Sequence, residues 1–115
     1  MEFPFEKLQV YQQAQGFNLD VQRLVSRNRL SRHPVFDQIS RAALSVPLNI
    51  AEAHGRWTGP DRRRIYRIAL GSNFECIPLL DVLLQNQFIE VSAHLESRAK
   101  LASVARMLTT LINQS

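Results

Sequence analysis

The sequence predicts an all-α fold, an antiparallel up-down four-helix bundle, and three observations lead to that prediction. Apolar residues recur at spacings of three and four along almost the whole chain, which is the period of an α-helix. No segment shows the strict alternation of a β-strand. Short breaks divide the chain into four long segments, and short connections favour antiparallel neighbours. A dimer built from two helical hairpins is the alternative.

Each of the four segments carries an apolar stripe. We predict one domain, residues 1–115, with helices at about residues 4–27, 34–56, 59–86 and 91–113. The first two stripes comprise Val10, Ala14, Phe17, Val21, Leu24 and Val25, then Phe36, Ile39, Ala43, Val46 and Ile50. The last two comprise Ile65, Ile68, Ser72, Cys76, Leu79 and Leu83, then Val91, Leu95, Ala102, Ala105, Leu108 and Ile112.

Proline residues mark both the starts and the interiors of the predicted helices. Pro34 suits the first turn of the second helix, where a missing N–H has no partner to lose. Thr58 is the predicted N-cap of the third helix, with Asp61 as its acidic partner. Pro47 and Pro78 fall inside strong apolar stripes, so we predict kinks in helices 2 and 3.

The composition is that of a small folded domain with a basic surface. Of the 115 residues 45% are hydrophobic and 21% charged, which excludes a disordered tail. The single cysteine, Cys76, excludes an internal disulfide and is predicted to be a small core residue. No signal peptide is visible, and the apolar runs are far shorter than the roughly 20 residues that cross a bilayer. We therefore expect a cytoplasmic protein without membrane contact.

A second, polar stripe lies beside the apolar one on the two central helices. On the second helix it comprises Ser45, Asn49, Glu52 and Arg56, and on the third it comprises Ser72 and Glu75. A carboxylate near a core position is costly unless it is hydrogen-bonded or ion-paired. The pattern predicts a polar network between helices 2 and 3 that fixes their register.

Inward carboxylates also suggest a metal site, but its other ligands are missing. Di-iron and di-manganese bundles need a Glu-x-x-His pair, and here Gly55 follows Glu52 and Pro78 follows Glu75 at the required spacing. No nucleophile elbow, Walker loop or dinucleotide motif is present. We therefore predict no catalytic residue, metal or cofactor, and keep a metal-dependent enzyme as a minor alternative.

Arginine is concentrated in two groups, and the net charge is +4 with twelve arginines against two lysines. The first arginine group comprises Arg23, Arg27, Arg29 and Arg32, followed by His33. The second arginine group comprises Arg62, Arg63, Arg64 and Arg67, just after Trp57. Guanidinium groups suit bidentate phosphate contacts and stacking on bases. In an antiparallel bundle the two groups lie at opposite ends, and an ordinary ion-paired surface is the competing interpretation.

Several runs of residues resemble a known family. The segment from Asp37 to Glu52 followed by Gly55-Arg56, and the later "GSNFE" from Gly71 to Glu75, resemble the bacterial four-helix-bundle family named for proteins encoded in intervening sequences of 23S ribosomal RNA genes. The accessory protein of diversity-generating retroelements belongs to the same broader group. Ala53 stands where the family usually has Gly, which favours a second helix that runs on towards Trp57.

The resemblance implies a ring-like homo-oligomer, typically a pentamer, of antiparallel four-helix bundles. It also implies motif roles for Asn49, Glu52, Ser72 and Glu75. The best-understood relatives look like basic scaffolds that bind nucleic acid and a reverse transcriptase. We expect a non-enzymatic scaffold that contacts RNA or DNA through its arginines, with Trp57 as a stacking partner. The alternative is a bundle that docks a protein partner without nucleic acid, for which Phe3, Phe5, Phe88 and Ile89 are candidates.

Overall fold

The computed structural model describes residues 1–115 and contains four long helices and no strand. They are α1 (Gln9–Arg27), α2 (Pro34–His54), α3 (Gly59–Gln85) and α4 (Val91–Gln114). A short 3-10 turn, Pro4–Lys7, precedes α1. The predicted all-α four-helix bundle is confirmed by the number of helices and by their mutual packing.

Two helix ends differ from the prediction. The first helix begins at Gln9 rather than near residue 4, because Leu8 has an extended backbone that separates α1 from the 3-10 turn. The second helix ends at His54 and does not run on to Arg56. Its last turn tightens there, since the N–H groups of Gly55 and Arg56 donate to carbonyls three residues back.

Side chains cap the starts of α2 and α3, at the positions where the sequence predicts that helices begin. The Val35 N–H donates to Nδ1 of His33 (3.1 Å), and Pro34 follows His33 at the first helical position. The Asp61 N–H donates to Oγ1 of Thr58 (3.3 Å). Both side chains therefore satisfy a donor that has no partner within its own helix.

The two interior prolines lie within continuous helices. Pro47 is buried inside α2, and Pro78 lies on the exposed side of α3. Each removes one backbone N–H from the helical ladder without ending the helix. A kink at each position stays a prediction.

The core consists of two clusters of buried residues, one towards each end of the bundle. We call the end with the α1–α2 connection the first end, and the end with the α2–α3 connection the second end. The first-end core cluster comprises Phe17, Val21, Val35, Phe36, Ile39, Ala42, Ala43, Cys76, Leu79, Leu80, Leu83 and Leu101. The second-end core cluster comprises Val10, Ala14, Val46, Ile50, Ala53, Ile65, Tyr66, Ala69, Val104, Leu108 and Ile112.

The residues that make up the two clusters indicate how neighbouring helices are oriented relative to each other. The second half of α1 packs with the first half of α2 and the second half of α3, whereas the opposite halves meet in the other cluster. Helices that reverse direction at each short connection produce this pairing. The bundle measures 43 × 27 × 21 Å along its principal axes.

By length and apolar composition, α3 is also the one helix that could cross a membrane. The core helix of a folded bundle has the same properties. In this bundle, α3 supplies buried residues to both core clusters.

Candidate nucleic-acid interface and inter-helix contacts

The predicted polar network contains one contact that does cross from α2 to α3. The hydroxyls of Ser45 and Ser72 share a hydrogen bond of 2.8 Å. Asn49 extends it on the α2 side, since its Nδ2 donates to the main-chain oxygen of Ser45 (2.8 Å) and to the Ser45 hydroxyl (3.0 Å). These three half-buried side chains form a small polar contact between two apolar clusters.

The rest of the predicted network lies elsewhere, which corrects the single network expected from the sequence. Glu52 and Arg56 form an exposed ion pair with each other, and Arg56 also pairs with Asp61 (3.5 Å). Between helices of opposite direction, moving seven residues along α2 from Ser45 to Glu52 moves the opposing position on α3 seven residues back. Glu52 therefore faces the start of α3, away from Ser72.

Glu75 belongs neither to the Ser45–Ser72 contact nor to the ion pairs of Arg56. Its side chain is exposed and makes no hydrogen bond or ion pair within the chain. Its position lies beyond Ser72 towards the first end, whereas Arg56 lies at the second end. The hydrogen bond from Arg56 to Glu52 raises the pKa of the arginine further above its ordinary value, and the nearby Asp61 charge adds to this effect.

The second arginine group is organised by contacts within the chain. Arg64 pairs with Asp61 (3.0 Å), so its charge is neutralised nearby. Arg62 donates to the main-chain oxygen of Arg56 (3.1 Å), and Arg63 donates to a main-chain oxygen of Ser115. Arg67 has no partner. The contact with a carbonyl oxygen orients Arg62 but leaves its positive charge uncompensated by an acidic side chain, and the contact with Ser115 orients Arg63.

Trp57 projects from the α2–α3 connection beside this group. Its side chain is 95% exposed and contacts no other aromatic ring. An open cavity of about 430 Å³ adjoins it, lined by Gly55, Arg56, Trp57, Thr58 and Asp61. None of the second arginine group lines this cavity, and Arg62 approaches it through its hydrogen bond to the main chain of Arg56, next to Trp57.

The first arginine group is largely free of partners. Arg23 pairs with Asp20 (3.4 Å), whereas Arg27, Arg29 and Arg32 pair with no acidic side chain. His33, which follows the group, caps α2 instead of joining the charged surface. The 21 residues of α2 separate this group from the second one, a distance of about 30 Å along the helix.

Two of the proposed docking residues at the first end are packed inward. Phe88 and Ile89 are half-buried against the first-end core cluster, and the Phe88 ring contacts Phe36 edge to face at 4.7 Å between centroids. Phe5 is also half-buried and contacts Tyr11, whereas Phe3 is exposed. The exposed apolar side chains lie elsewhere: on the outer side of α2 and α3 they are Leu44, Leu48, Ile68 and Phe74.

A buried asparagine that the sequence analysis missed joins α3 to α4. The Nδ2 of Asn73 donates to the main-chain oxygen of Leu101 (2.9 Å), and its Oδ1 has no hydrogen-bond partner. The spacing Tyr66, Ala69, Asn73, Cys76 follows one face of a helix and would have identified it. With the Ser45–Ser72 contact and a hydrogen bond from Ser40 to Gln22 (3.0 Å), each consecutive pair of helices has at least one polar contact.

Cys76 lies wholly inside the first-end core cluster, as predicted for a small core residue. Burial, with a smaller effect from the Glu75 charge, raises the pKa of its thiol to about 12. The thiol is therefore protonated at neutral pH and does not have the thiolate character of a nucleophile.

The remaining titratable side chains are dispersed. No three histidine, cysteine, aspartate or glutamate side chains are placed to hold one metal ion. His94 contacts Asp81 (Nε2 to Oδ1, 2.7 Å), and the Tyr66 hydroxyl lies 3.5 Å from Nδ1 of His54. Burial raises the pKa of the Tyr66 phenol, while the nearby Arg62 charge opposes that shift.

These contacts place the chain in the class of small basic helical bundles, in which the charged ends and the outer helical faces are the distinctive surfaces. The chain belongs to the 23S rRNA-intervening sequence protein family, whose model matches residues 6–110. The resemblance noted in the sequence is thereby confirmed.

A solved structure supports the fold independently. A crystal structure from Bacteroides thetaiotaomicron, of a protein with unknown function from the S23 ribosomal protein family, superimposes with a TM-score of 0.81. The two sequences are 19% identical, and the match covers 90% of this chain and 97% of that one. Similarity at this level of identity establishes a shared fold alone. No curated protein matches this chain.

Proposed function

We propose that this protein is a non-enzymatic scaffold that assembles with copies of itself and contacts RNA or DNA through its two arginine groups. One observation carries the proposal: six guanidinium groups of the two arginine groups pair with no acidic side chain of the chain. They are Arg27, Arg29 and Arg32 at the first end, and Arg62, Arg63 and Arg67 at the second. Uncompensated arginines are suited to binding phosphates, because each contact releases condensed counterions.

Assembly strengthens this argument. A net charge of +4 is modest for one chain, but a ring of copies repeats the same arginines around each rim. Several phosphate contacts are needed for useful affinity, and a ring offers them to one nucleic-acid strand at the same time. The family resemblance suggests five copies.

Two opposite faces of the bundle support self-assembly. The outer side of α2 and α3 exposes Leu44, Leu48, Ile68 and Phe74, each between 43% and 58% exposed. The opposite side, between α1 and α4, has an open groove of about 410 Å³, lined mainly by small or polar residues such as Gly16, Ala99 and Ser103. A ridge on one face that enters a groove on the opposite face is a head-to-tail contact, the kind that closes into rings.

The assembly is tested by molar mass from light scattering. We expect the wild type to elute at about five times 13.2 kDa. A Leu48→Glu, Phe74→Glu variant should be monomeric, because each carboxylate would have to lose its water in the interface. The matched control is Leu30→Glu in the α1–α2 connection, another exposed leucine outside both faces. A wild-type monomer would remove the ring from the proposal.

Nucleic-acid binding is tested by fluorescence anisotropy with labelled single-stranded RNA and DNA at about 50 mM salt, where phosphate contacts are strongest. Replacing Arg27, Arg29 and Arg32 with alanine should weaken binding by about two orders of magnitude and reduce the salt slope by about 2. The same result is expected for Arg62, Arg63 and Arg67. A flat titration of the wild type would refute this function.

A charge-matched variant separates local contacts from general electrostatics. Replacing Arg41, Arg98 and Arg106 with alanine removes the same charge outside both arginine groups. This variant should lose less than about threefold in affinity, since it retains all six candidate phosphate contacts. Equal losses in all three variants would mean that binding follows net charge only.

The second candidate function is a bundle that docks a protein partner without nucleic acid. The observation in its favour is the same exposed apolar ridge, which a partner protein could cover instead of a second copy. Light scattering distinguishes the two functions. A monomeric wild type whose mass does not change when RNA is added would favour the docking bundle.

A further inference from the structure

We infer that the second end is a stacking site for unpaired bases, so that the nucleic acid bound there is single-stranded. This inference rests on the proposed function and adds to it the class of nucleic acid. Its starting point is the exposure of Trp57, which at 95% is far greater than the 52% of Phe3 and of Phe74, the next most exposed phenylalanine or tyrosine side chains. An indole that packs against nothing in its own chain contributes no folding stability through burial.

The segment that carries the indole is held in place from both sides. On one side Arg56 pairs with Glu52 and Asp61, and on the other side the Thr58 hydroxyl caps α3. The Arg62 side chain ties the two sides together through the main-chain oxygen of Arg56 (3.1 Å). An aromatic ring on a braced connection has less conformational entropy to lose when a ligand binds than a ring on a loose loop.

The charge beside the indole fits a nucleic-acid strand. Arg62 uses one N–H on a carbonyl oxygen, so its other donors and its full charge remain available for a phosphate. The adjoining open cavity of about 430 Å³ is lined by Trp57 and by the paired Arg56 and Asp61, so the free charge beside the indole is that of Arg62, which contacts the main chain of Arg56. A base on the indole and its phosphate on Arg62 make a pair of contacts that suits one nucleotide.

The geometry of stacking selects the strand type. Every base has a π-face, so stacking on an aromatic side chain tolerates any sequence. In a duplex both faces of an internal base are already covered by its neighbours, and the phosphates alone are accessible to this site. Duplex RNA would therefore keep the electrostatic contacts but lose the stacking contact.

The experiment uses the full chain and its only tryptophan. Indole emission and the anisotropy of a labelled strand are recorded in the same titration, with a single-stranded RNA of about 20 nucleotides and its duplex. We expect the single strand to quench Trp57 and the duplex to leave its emission unchanged. Trp57→Ala should lower single-strand affinity by about 5- to 150-fold, with an unchanged salt slope because no charge is removed.

Two further variants serve as controls. Trp57→Phe retains an aromatic face and should recover part of the affinity. Leu30→Ala removes an almost equally exposed apolar side chain at the first end and should leave affinity unchanged. Because Trp57 is almost fully exposed, its truncation should not affect folding, and helical circular dichroism checks this.

The outcomes separate this inference from the proposed function. Binding seen by anisotropy with no change in Trp57 emission and no effect of Trp57→Ala would refute the stacking site and leave nucleic-acid binding intact. Equal losses for single strand and duplex in Trp57→Ala would also refute it. Absence of any binding in the anisotropy channel would refute both proposals.

Discussion

The two ends of the bundle carry similar numbers of arginines but use them differently. At the first end the connection is held by apolar contacts, among them the Phe36–Phe88 pair, and Arg27, Arg29 and Arg32 make no ion pair. At the second end, Arg56 and Arg64 are both paired to Asp61, so ion pairs help to hold the connection. Charge that stabilises a connection is no longer available to a ligand, so the number of arginines in a segment does not measure its free charge.

The contrast extends to what each end presents to solvent. The first end presents guanidinium side chains without ion pairs, and an exposed leucine, Leu30, lies between them. The second end presents as many arginines without an acidic partner, and it also holds a bare indole, Trp57, on a braced segment. Long-range attraction of a polyanion suits the first end, and a defined contact with a base suits the second.

The largest predicted effect tests whether apolar packing holds the first end. Phe36→Ala should lower the free energy of unfolding by about 3–5 kcal/mol, because it removes a buried ring and its contact with Phe88. Urea unfolding followed by circular dichroism at 222 nm measures this. Phe3→Ala is the control, since Phe3 is 52% exposed, and a loss of similar size there would contradict the interpretation.

The next effect compares buried titratable groups in the two core clusters. In the unfolded chain the Cys76 thiol loses its proton near pH 9.0, whereas in the folded chain it retains the proton up to about pH 12. The unfolded state then binds fewer protons, so stability should fall by about 1.4 kcal/mol per pH unit between these values. Urea unfolding of wild type and Cys76→Ala at increasing pH measures the difference.

In the second-end core cluster, the buried titratable residue to compare with Cys76 is Tyr66. Burial raises the pKa of its phenol, but the Arg62 charge opposes the shift. Cys76→Ala should therefore remove most of the alkaline loss of stability, and Tyr66→Phe should remove less. Parallel curves for wild type and Cys76→Ala would show that the thiol is not titrating in this range.

A smaller effect is expected from a variant that frees paired arginines at the second end and so makes that end resemble the first. Asp61→Asn removes the carboxylate that neutralises Arg64 and contributes to the pairing of Arg56. Affinity for single-stranded RNA at about 50 mM salt should rise five- to tenfold, roughly one additional phosphate contact. Asp37→Asn is the charge-matched control, because it frees Arg41 on an outer helical face. An equal gain in the control would assign the effect to net charge.

The smallest effect concerns the Thr58 cap at the start of α3, at the second end. Thr58→Ala should cost about 1 kcal/mol of stability, because the Asp61 N–H at the start of α3 loses its acceptor. Thr58→Ser retains the hydroxyl and should restore most of the loss. Chemical denaturation measures both variants, and a Thr58→Ala variant as stable as wild type would show that water replaces the cap fully.

The sequence predicted α2 more successfully than α4, and the reason lies in their composition. All five apolar residues assigned to the α2 stripe are buried. In α4, Val91 and Leu95 are exposed, and the buried face instead carries Leu101 and Val104. Alanines at 99, 102 and 105 make several faces of α4 weakly apolar, so periodicity alone could not identify which face meets the other helices.

The residues of the site were predictable from the sequence, but the contacts between them were not. Spacing identified the polar residues of α2, yet it could not show that Ser45 meets Ser72 while Arg56 meets Glu52 and Asp61. Which of these residues meet depends on how far α2 and α3 are shifted along each other, and the sequence of neither helix alone determines that shift. The middle of the predicted α3 stripe was also misplaced: Ile68 is exposed, and the buried position next to Ser72 is Asn73, whereas the residues at both ends of the stripe are buried as predicted. Helical spacing tolerates such a local error when small and polar residues interrupt the apolar pattern.

The bare indole has a practical consequence for anyone who measures the stability of this protein. Tryptophan emission usually reports unfolding because the ring leaves a dry core and enters water, but Trp57 is in water already. A denaturation curve recorded from its emission would be almost flat while the two core clusters come apart. The chain's only tryptophan is thus insensitive to the interior, and the loss of helical circular dichroism is the observable that follows unfolding.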